Sequence, residues 1–438
     1  MEDIFFKYHH RARLSEAAKA GDHVYLNEYY RLKNLPVYRN PNIIKEIFRT
    51  YWDDFLLSLD DKMKPRESIL TNVDRMIKCR DFSEGYIFFE CPNCDEFYMI
   101  GLSCHSRFCP SCNKKYREQR AISVSRKLLD VNHRHFVFTI PEEFRYLFRL
   151  YRGLYDVLFI SVNESFLKLL SSKISKRLDR RLGIVAFLHT FGRALNLNPH
   201  IHCLVSEATI DKHNIIKKHS YFHFKKLRII YMYTLLNNIY KYITNNGSFI
   251  DKNITYKLKE EIINNYKDGL YVYGPENNKM NAKEVTRYIS RYSSRPAISE
   301  ERIINVDYNN DLITWYYDPH EDDDFELEDD KIGRQEITEP IFEFIKKLII
   351  HIPDKGFNLI RYYGFYANRT NKSFGEEKRL YRKSYISLMK SKLYWIRLLF
   401  NTYNYNPLLC VCGTTMVINY NLSYLKRRGD PTCIRDLS

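Results

Sequence analysis

Apolar residues recur at helical spacing just after Pro41. They lie three or four positions apart, or side by side, at Ile44, Ile47, Phe48, Tyr51, Trp52, Phe55 and Leu56. Residues at this spacing share one face of a helix, so the pattern predicts a helix that buries that face against a core. We assign this helix a role in packing and none in chemistry.

Strand and helix patterns alternate through the centre of the chain. Short apolar runs predict strands at residues 135–140, 184–191, 201–205 and 270–273, and a periodic stretch predicts a helix over residues 142–178. The second and third runs flank a loop that contains Gly192 and Pro199, which favours a two-stranded hairpin.

A further helix is predicted to begin at Asn281. An Asn at the cap followed by Glu284 three residues later forms a capping box, and Pro296 lies just past the expected end. Tyr288 and Tyr292 are four residues apart in this helix, so both hydroxyls project from one face.

Charge and composition narrow the classes of partner. Lys and Arg number 69 and Asp and Glu 53, which gives a formal net charge of +16. Such a charge attracts polyanions, and nucleic acid is the leading partner, although many soluble basic proteins bind nothing acidic. No run approaches the ~18 apolar residues that a membrane-spanning helix requires, and the first residues lack the apolar centre of a signal peptide. We therefore expect a cytoplasmic protein, associated with the nucleoid and without a membrane partner.

The cysteines indicate a metal site. The chain has 10 Cys, which in an unexported protein suit metal binding better than disulfides. Two CxxC knuckles predict one closed structural Zn²⁺ site with the ligands Cys91, Cys94, Cys109 and Cys112. Cys104 and His105 lie between the knuckles and could replace a ligand, whereas Cys79 is too far upstream for either pair. Cys410 and Cys412 form a shortened motif that would not hold zinc by itself.

A basic helix is predicted directly after the second knuckle. Its first turns contain Lys114, Lys115, Arg117 and Arg120. Cations at this end of a helix oppose its dipole, which favours an anionic partner such as DNA. A solvated helix face is the alternative interpretation.

The triplet His200-Ile201-His202 falls in a predicted strand. Both imidazoles then point to one face and can bind a single divalent cation. If the hairpin loop pairs Phe191 with His200, then His189 faces His202 and becomes the candidate third ligand. A slip of one residue would turn His189 away. His133 and His135 have the same spacing and are interpreted as structural or phosphate-contacting.

Tyr288 and Tyr292 are candidate nucleophiles for this metal site. A phenol with a pKa of ~10 is a poor nucleophile at neutral pH, but a metal that polarises a scissile phosphate makes its attack practicable. A buried aromatic stripe is the alternative, in a chain with 36 Tyr.

Several motifs in their order carry a family resemblance. They are CPNC, SRFCPSC, HRHFVFTIPEE, HTFGRALNLNPHIHCLV, YISRYSSRPAIS and RYYGFYANR, between about residues 42 and 410. In this combination the chain resembles the two-tyrosine transposases of bacterial rolling-circle insertion sequences, members of the HUH endonuclease superfamily. The resemblance implies a ferredoxin-like antiparallel sheet with the histidine pair on a central strand and the tyrosine helix beside it.

The resemblance also implies the chemistry. It implies a catalytic Mg²⁺ or Mn²⁺, with single-stranded DNA at the ends of its own mobile element and target DNA as partners. Tyr288 or Tyr292 would displace a 3′ hydroxyl and form a 5′-phosphotyrosine link, which a free 3′ hydroxyl later reverses without ATP. The oligomeric state stays open.

The predicted fold class is α+β, with a helical and zinc-ribbon-like N-terminal module followed by the ferredoxin-like nuclease domain. The predicted divisions are an N-terminal extension (1–41), a helical and zinc-binding DNA-contacting domain (42–130), the HUH tyrosine nuclease domain (131–310) and a C-terminal helical basic region (311–438). A dense acidic run at residues 318–330 is expected to form an exposed loop.

Two other functions remain open at the level of sequence. One is a nicking replication initiator or relaxase of the same superfamily, although the chain has no GxxxxGK[ST] phosphate loop for a fused helicase. The other is a zinc-dependent DNA-binding protein without catalysis, in which the histidines and tyrosines only pack.

Overall fold

The structure, a computed structural model, describes most of the chain between residues 42 and 424. The positions it leaves out within that span are 61–63, 95, 172–178, 214, 220, 275–279, 281–283, 286–287, 290–291, 293–295, 319–332, 372–373, 376–377, 385 and 388–408. The predicted N-terminal extension, nearly all of the acidic run and the predicted cap at Asn281 lie outside the described residues. Among the described residues, no helix is long and apolar enough to cross a membrane.

The described elements are helices and antiparallel strands. The helices are α1 (Ile43–Leu57), α2 (Glu67–Ile77), α3 (Pro110–Ser125), α4 (Arg145–Leu150), α5 (Leu154–Leu169), α6 (Phe224–Asn246), α7 (Phe249–Asn265), α8 (Ile341–Ile349) and α9 (Asn368–Asn371). The strands are β1 (Tyr86–Glu90), β2 (Phe97–Gly101), β3 (His133–Thr139), β4 (Arg181–Phe191), β5 (Leu197–Ile210), β6 (Ile216–Lys218), β7 (Val272–Tyr273), β8 (Ile303–Asp307), β9 (Leu312–Tyr317), β10 (Gln335–Pro340), β11 (Ile360–Gly364) and β12 (Val417–Tyr424).

The central sheet has ferredoxin-like topology. Its elements follow one another as β3, α4 and α5, β4, β5, α6 and α7, and β7, which is a βαββαβ order. The strands pair antiparallel in the order β4-β5-β3-β7, with β11 beside β4 and β6 beside β5. The predictions of an α+β fold and of an antiparallel sheet with the histidine pair on a central strand are confirmed, because β5 carries both histidines.

Both faces of the central sheet are covered. Ile184, Ala186 and Leu188 of β4 belong to the core formed with helices α4, α5 and α6. Val185 and Phe187, on the opposite face, pack with α3 and the helical segment that carries Tyr288 and Tyr292. Because side chains alternate along a strand, β4 and β5 are buried almost continuously.

The predicted first helix is confirmed as α1. Asn42 caps it by accepting a hydrogen bond from the backbone N–H of Lys45, 3.1 Å away. Six of the seven predicted apolar residues are buried and Leu56 is half-buried. These residues pack with α2, α8 and the sheet of β8, β9 and β10.

The helix predicted over residues 142–178 is interrupted. Helix α4 ends before Tyr151, whose backbone leaves the helical region at φ −117° and ψ 88°, and α5 begins after Gly153. A side chain at Gly153 would lie 2.2 Å from the Tyr242 hydroxyl oxygen. The break therefore lets α5 approach α6 closely, which the apolar periodicity does not reveal.

The C-terminal region differs from the helical region predicted over residues 311–438. Its described part contains α8 and α9 but also the strands β9, β10, β11 and β12. Strands β8 and β9 are hydrogen-bonded across the predicted boundary at residue 310, and β11 joins the central sheet. Paired strands belong to one packed unit, so residue 310 is not a domain boundary.

Candidate active site and metal centres

Three histidines converge on the face of the central sheet that is covered by the helical segment carrying Tyr288 and Tyr292. His200 and His202 lie on β5, and His189 lies on the neighbouring β4. Their candidate ligand nitrogens all lie within 4.8 Å of one another, and the Nε2 atoms of His200 and His202 are 3.1 Å apart. We refer to these three residues as the histidine cluster.

The hairpin register corrects the predicted pairing. His189 lies opposite His200, and Phe187 lies opposite His202, so the strands are shifted by two residues from the predicted register. An irregularity between His189 and Phe191 accompanies the shift. Since side chains alternate with a period of two, a shift of two leaves His189 on the predicted face.

Each imidazole of the histidine cluster is oriented by a partner on its outer nitrogen. His200 Nδ1 lies 2.7 Å from the Asn198 carbonyl oxygen, and His189 Nε2 lies 3.1 Å from the Tyr292 carbonyl oxygen. A ring nitrogen that donates to a carbonyl leaves the lone pair on the other nitrogen, which is the form that binds a metal. His202 Nδ1 is 3.2 Å from His135 Nε2, so Nε2 of His202 is the atom that faces the cluster.

His133 and His135 have different surroundings despite their equal spacing. His133 is fully buried, and its Nε2 lies 2.6 Å from the Tyr366 hydroxyl. Burial lowers the pKa of His133 to about 3, so its ring is neutral. His135 borders the candidate site, because it contacts His202 and its ring centroid lies 4.8 Å from that of Tyr288.

The two candidate tyrosines both reach the site, as their spacing predicts. Both have helical backbone. The Tyr292 ring stacks on His202 with centroids 4.0 Å apart and an interplanar angle of 28°. Tyr288 lies one turn earlier, with its ring centroid 4.6 Å from that of Tyr292.

The tyrosines differ in burial. Tyr288 is 6% exposed, and its hydroxyl has no hydrogen-bond partner among the described residues. Burial raises the pKa of Tyr288 well above its ordinary value. Tyr292 is half-buried and lines a cleft. The two hydroxyls are therefore not equivalent.

The cleft beside the histidine cluster is partly open to solvent and has a cavity volume of about 100 Å³. It is lined by His189 and Tyr292 together with Phe191 from the central sheet and with Arg107 and Phe108 from the N-terminal module. Aromatic side chains and the Arg107 guanidinium therefore lie next to His189 and Tyr292.

The cysteines of the two CxxC knuckles belong to different clusters, which corrects the predicted single site. Cys109 and Cys112 converge with Cys79 and Cys104, and all four thiols are buried. Cys112 Sγ lies 3.6 Å from both Cys79 Sγ and Cys104 Sγ. Zn–S bonds of about 2.3 Å place the sulfurs of a tetrahedral site roughly 3.8 Å apart, so this arrangement fits zinc.

Cys91 and Cys94 instead converge with Cys410 and Cys412. The exclusion of Cys79 on grounds of sequence distance was wrong, because the turn after α2 brings it to the start of α3. We call the set of Cys79, Cys104, Cys109 and Cys112 the inner cysteine cluster, and the set of Cys91, Cys94, Cys410 and Cys412 the outer cysteine cluster. His105 belongs to neither cluster.

Helix α3 carries the four predicted DNA-contacting residues. Lys114 and Lys115 lie early in the helix, and their side chains lie outside the described part of the structure. Arg120 Nε donates to the Tyr116 hydroxyl over 2.7 Å, and Arg117 is half-buried. Contact of these residues with DNA stays a prediction.

Sequence reasoning missed His135 and the four additional cysteines. The signal for His135 was available, since an HxH pair in the strand next to β5 places one imidazole on the same face. The cysteines outside the knuckles carry no such local signal, because only the fold shows which of them meet.

The chain matches two family models. One, described as "Transposase zinc-binding domain", covers residues 47–140, and the other, described as "Putative transposase", covers residues 183–373. The first contains the whole inner cysteine cluster, and the second contains the histidine cluster and both tyrosines.

Relatives of similar length carry the same kind of description. The "Transposase for insertion sequence element IS801" of Pseudomonas savastanoi pv. phaseolicola is 28% identical over 371 residues, which cover 83% of this chain and 86% of the relative. The "Putative transposase y4qJ" of Sinorhizobium fredii (strain NBRC 101917 / NGR234) is 24% identical over 336 residues, 74% of this chain and 80% of the relative. No solved structure matches the chain. Residues 47–140 therefore match a transposase zinc-binding domain and residues 183–373 a transposase domain, and the chain is similar over most of its length to an insertion-sequence transposase.

Proposed function

We propose that this transposase cleaves single-stranded DNA at the ends of its own mobile element and rejoins it to target DNA through a 5′-phosphotyrosine intermediate. The observation that carries the proposal is the stacking of Tyr292 on His202, within a cluster of three convergent imidazoles. A nucleophile and a candidate metal site thereby share one pocket, as metal-assisted phosphodiester cleavage requires.

The histidine cluster is the proposed site of the catalytic divalent cation, Mg²⁺ or Mn²⁺. Two imidazoles whose Nε2 atoms are 3.1 Å apart repel unless one donates a proton or both donate lone pairs to a cation. Their outer nitrogens face carbonyl oxygens or His135, which is the arrangement that orients metal ligands. Three nitrogen donors favour Mn²⁺ over Mg²⁺, which prefers oxygen ligands. When bound, the cation would polarise the scissile phosphate.

We propose that Tyr292 performs the first cleavage and Tyr288 the second. Tyr292 lines the cleft, so its phenol can meet a phosphodiester without rearrangement. Tyr288 is buried behind it, and its hydroxyl must come out of the core before it can react. Their spacing of one helical turn lets the second tyrosine act while the first still holds a strand.

The proposed cleavage conserves bonds and charge. The Tyr292 oxygen forms a bond to phosphorus and gives up its proton to solvent, while the bond from phosphorus to the 3′ oxygen breaks. The departing 3′ oxygen takes up a proton and leaves as a hydroxyl. In the joining step a free 3′ hydroxyl attacks the phosphotyrosine and restores both the phosphodiester and the phenol.

The cleft favours a single strand as the substrate. Its aromatic residues Phe108 and Phe191 offer surfaces on which an unstacked base can pack, and Arg107 supplies a cation for the backbone. Bases of a duplex are stacked and paired, so they cannot enter such a cleft without being extruded. The basic helix α3, with Lys114, Lys115, Arg117 and Arg120, is the proposed path for adjoining phosphates.

Two other functions predict different behaviour. A replication initiator or relaxase of the same superfamily would cleave but would not transfer the strand to a new target. A non-catalytic DNA-binding protein would not need three imidazoles with their lone pairs directed at one point. The transposase relatives and the histidine cluster favour the strand-transferring enzyme.

A covalent-adduct assay tests the proposal. The protein is incubated with Mn²⁺ and labelled single-stranded DNA from the ends of its element, and the adduct is resolved under denaturing conditions. We expect Tyr292→Phe to abolish the adduct, and Tyr288→Phe to keep the adduct but block transfer to a second strand. The matched control is Tyr273→Phe. The Tyr273 ring on strand β7 lies beside His135, with ring centroids 5.5 Å apart, and its hydroxyl should be dispensable.

The outcomes separate the functions. An adduct that never forms with any end sequence contradicts both enzyme functions. An adduct without strand transfer to target DNA supports the initiator or relaxase. If Tyr292→Phe retains the full adduct and Tyr288→Phe loses it, the proposed order of the two tyrosines is reversed.

A further inference from the structure

We propose that the outer cysteine cluster binds a second structural zinc ion, which fastens the C-terminal strand β12 to the N-terminal module. The zinc-binding family model covers Cys91 and Cys94 but ends at residue 140. Cys410 and Cys412, the other half of the proposed site, lie far beyond it. The proposal is therefore a four-thiolate Zn²⁺ site completed from the opposite end of the chain.

The sulfur geometry fits one tetrahedral ion. Cys94 Sγ lies 3.4 Å from Cys410 Sγ, and Cys91 Sγ lies 3.6 Å from Cys412 Sγ. All four sulfurs lie within 4.8 Å of one another. These distances approach the roughly 3.8 Å edges of a ZnS₄ tetrahedron and far exceed the bond of about 2.05 Å in a disulfide.

Tight turns present the thiols on both halves of the site. Cys91 donates its backbone N–H to the Glu96 carbonyl over 2.9 Å, and Cys410 donates likewise to the Thr414 carbonyl over 2.9 Å. Gly413 has φ +81°, a conformation that glycine adopts without steric cost, so it closes the second turn. The shortened Cys410-Val411-Cys412 motif thus behaves as one half of a site and does not need to hold zinc alone.

Polar groups surround the sulfurs as they do around metal-bound thiolates. The backbone N–H of Asn93 donates to Cys91 Sγ over 3.4 Å, and the Asn93 side-chain amide lies 3.9 Å from Cys412 Sγ. The Cys412 thiol donates to the Thr414 hydroxyl over 3.3 Å, and once the thiol is ionised that hydroxyl can donate to the sulfur instead. Donors directed at sulfur stabilise negative charge there, which supports thiolate ligands.

The backbone around the outer cysteine cluster has the form of a zinc ribbon. Strand β1 pairs antiparallel with β2 on one side and with β12 on the other. Phe88, Phe89 and Met416 form a small core with Cys91 and Cys410 beneath the site. A core of this size needs a further constraint to be stable, and a bound metal supplies one.

The proposed ion closes a very long segment of chain. Cys91 and Cys412 are 321 residues apart in sequence, and the central sheet with all its helices lies between them. Bringing the ends of so long a segment together costs entropy, which the pairing of β1 with β12 and the proposed metal must offset. The zinc module is then complete only after the whole transposase domain has been made.

Metal content measured on the full-length protein tests the proposal. With Co²⁺ in place of zinc, only thiolate sites give a sulfur-to-cobalt charge-transfer band, so the histidine cluster does not contribute. We expect the Cys410→Ser/Cys412→Ser variant to lose half of the band, and Cys104→Ser/Cys109→Ser to lose the other half. Cys203→Ala, which removes a buried thiol outside both clusters, should retain the full band.

A second measurement uses the unaltered chain and does not depend on whether the variants fold. Cys412 is exposed, so iodoacetamide should alkylate it readily unless a metal holds its sulfur. We expect Cys412 and the half-buried Cys94 to be protected in the zinc-loaded protein, and to become reactive together with Cys91 and Cys410 on chelation. Equal alkylation of Cys412 with and without zinc, or an unchanged cobalt band in the Cys410→Ser/Cys412→Ser variant, would overturn the second site.

Discussion

The inner cysteine cluster fits a structural zinc ion and the histidine cluster is our proposed site for the catalytic cation, but the two clusters offer an ion different surroundings. The inner cysteine cluster supplies four buried sulfurs, which complete a tetrahedron. The histidine cluster supplies three nitrogens, and Tyr292 and a cleft lie beside it. A filled coordination shell can only support structure, whereas an incomplete shell next to a nucleophile can take a substrate oxygen. The number of ligands and their access therefore distinguish structural from chemical sites.

The largest expected effect comes from removing a ligand of the inner cysteine cluster. Cys112→Ser removes the ligand that contacts both Cys79 and Cys104. Structural zinc contributes an apparent free energy of about 10 kcal/mol in small zinc domains, so the N-terminal module should unfold locally. Hydrogen exchange should show loss of protection in α2 and α3, while the central sheet stays protected.

The control for this change is Ser111→Ala, which alters the neighbouring position without removing a ligand. Protection in α2 and α3 should be almost unchanged there. A Cys112→Ser protein that keeps its full metal content and its protected helices would show that the inner cysteine cluster does not hold zinc.

The next-largest effect comes from removing two imidazoles of the histidine cluster. His200→Ala combined with His202→Ala removes two of the three nitrogens and should eliminate divalent-cation binding at the site. If Lewis-acid stabilisation supplies about 4 kcal/mol to the transition state, adduct formation should slow by roughly 10³-fold. The rate of adduct formation with Mn²⁺ measures the effect.

Zinc content is the control for the histidine variant. It should remain at the wild-type level, because the cysteine clusters do not include His200 or His202. A variant that loses zinc together with adduct formation would contradict the separation of the two kinds of site.

A smaller effect tests whether His135 orients the imidazole of His202. His135→Phe keeps an aromatic ring against Tyr288 but removes the nitrogen that lies 3.2 Å from His202 Nδ1. Loss of such an orienting partner typically costs 10–100-fold in metal affinity or activity. We expect the Mn²⁺ concentration for half-maximal adduct formation to rise by about that factor, with near-normal activity restored at saturating Mn²⁺.

His133→Phe is the matched control, because His133 lies on the same strand but contacts Tyr366. It should lower the free energy of unfolding without changing the Mn²⁺ requirement. An unchanged Mn²⁺ requirement in His135→Phe would remove His135 from the site.

The sequence predicts the parts of the fold that depend on local pattern. The apolar spacing of α1, the hairpin of β4 and β5 and the helical spacing of Tyr288 and Tyr292 all follow from neighbouring residues. The histidine cluster could be anticipated because a hairpin joins its two strands directly. Its exact register could not, because the irregularity between His189 and Phe191 shifts the pairing by two residues.

The cysteine grouping could not be predicted, because it depends on contacts between distant segments. Proximity in sequence suggested that Cys91 and Cys94 share a metal with Cys109 and Cys112, but the fold separates the two knuckles. Strand β12 reaches β1 from the opposite end of the chain, and β11 reaches β4 in the same way. Local patterns do not specify which distant strand fills the edge of a sheet.

The smallest expected effect concerns the hairpin of β4 and β5, which carries the histidine cluster. His351 joins the end of α8 to the hairpin: its Nε2 lies 3.1 Å from the Leu195 carbonyl oxygen, and its Nδ1 lies 3.1 Å from the Thr190 hydroxyl. Burial lowers the pKa of His351 to about 4. A neutral ring satisfies both contacts, since Nε2 donates to the carbonyl and Nδ1 accepts from the hydroxyl. A protonated ring cannot accept at Nδ1.

The pH dependence follows from the direction of this shift. The pKa is lower in the folded state than the ordinary value of about 6.5, so the contribution is complete above pH 6.5 and is lost as the pH falls toward 4. Between pH 7 and pH 5 the wild-type protein should lose about 1–2 kcal/mol more unfolding free energy than His351→Gln. Urea unfolding at both pH values measures the difference, and the buried His133 contributes equally to both proteins and cancels. Equal pH dependence in the two proteins would mean that His351 is not held in its neutral form, and that the hairpin beside the histidine cluster is not anchored through this ring.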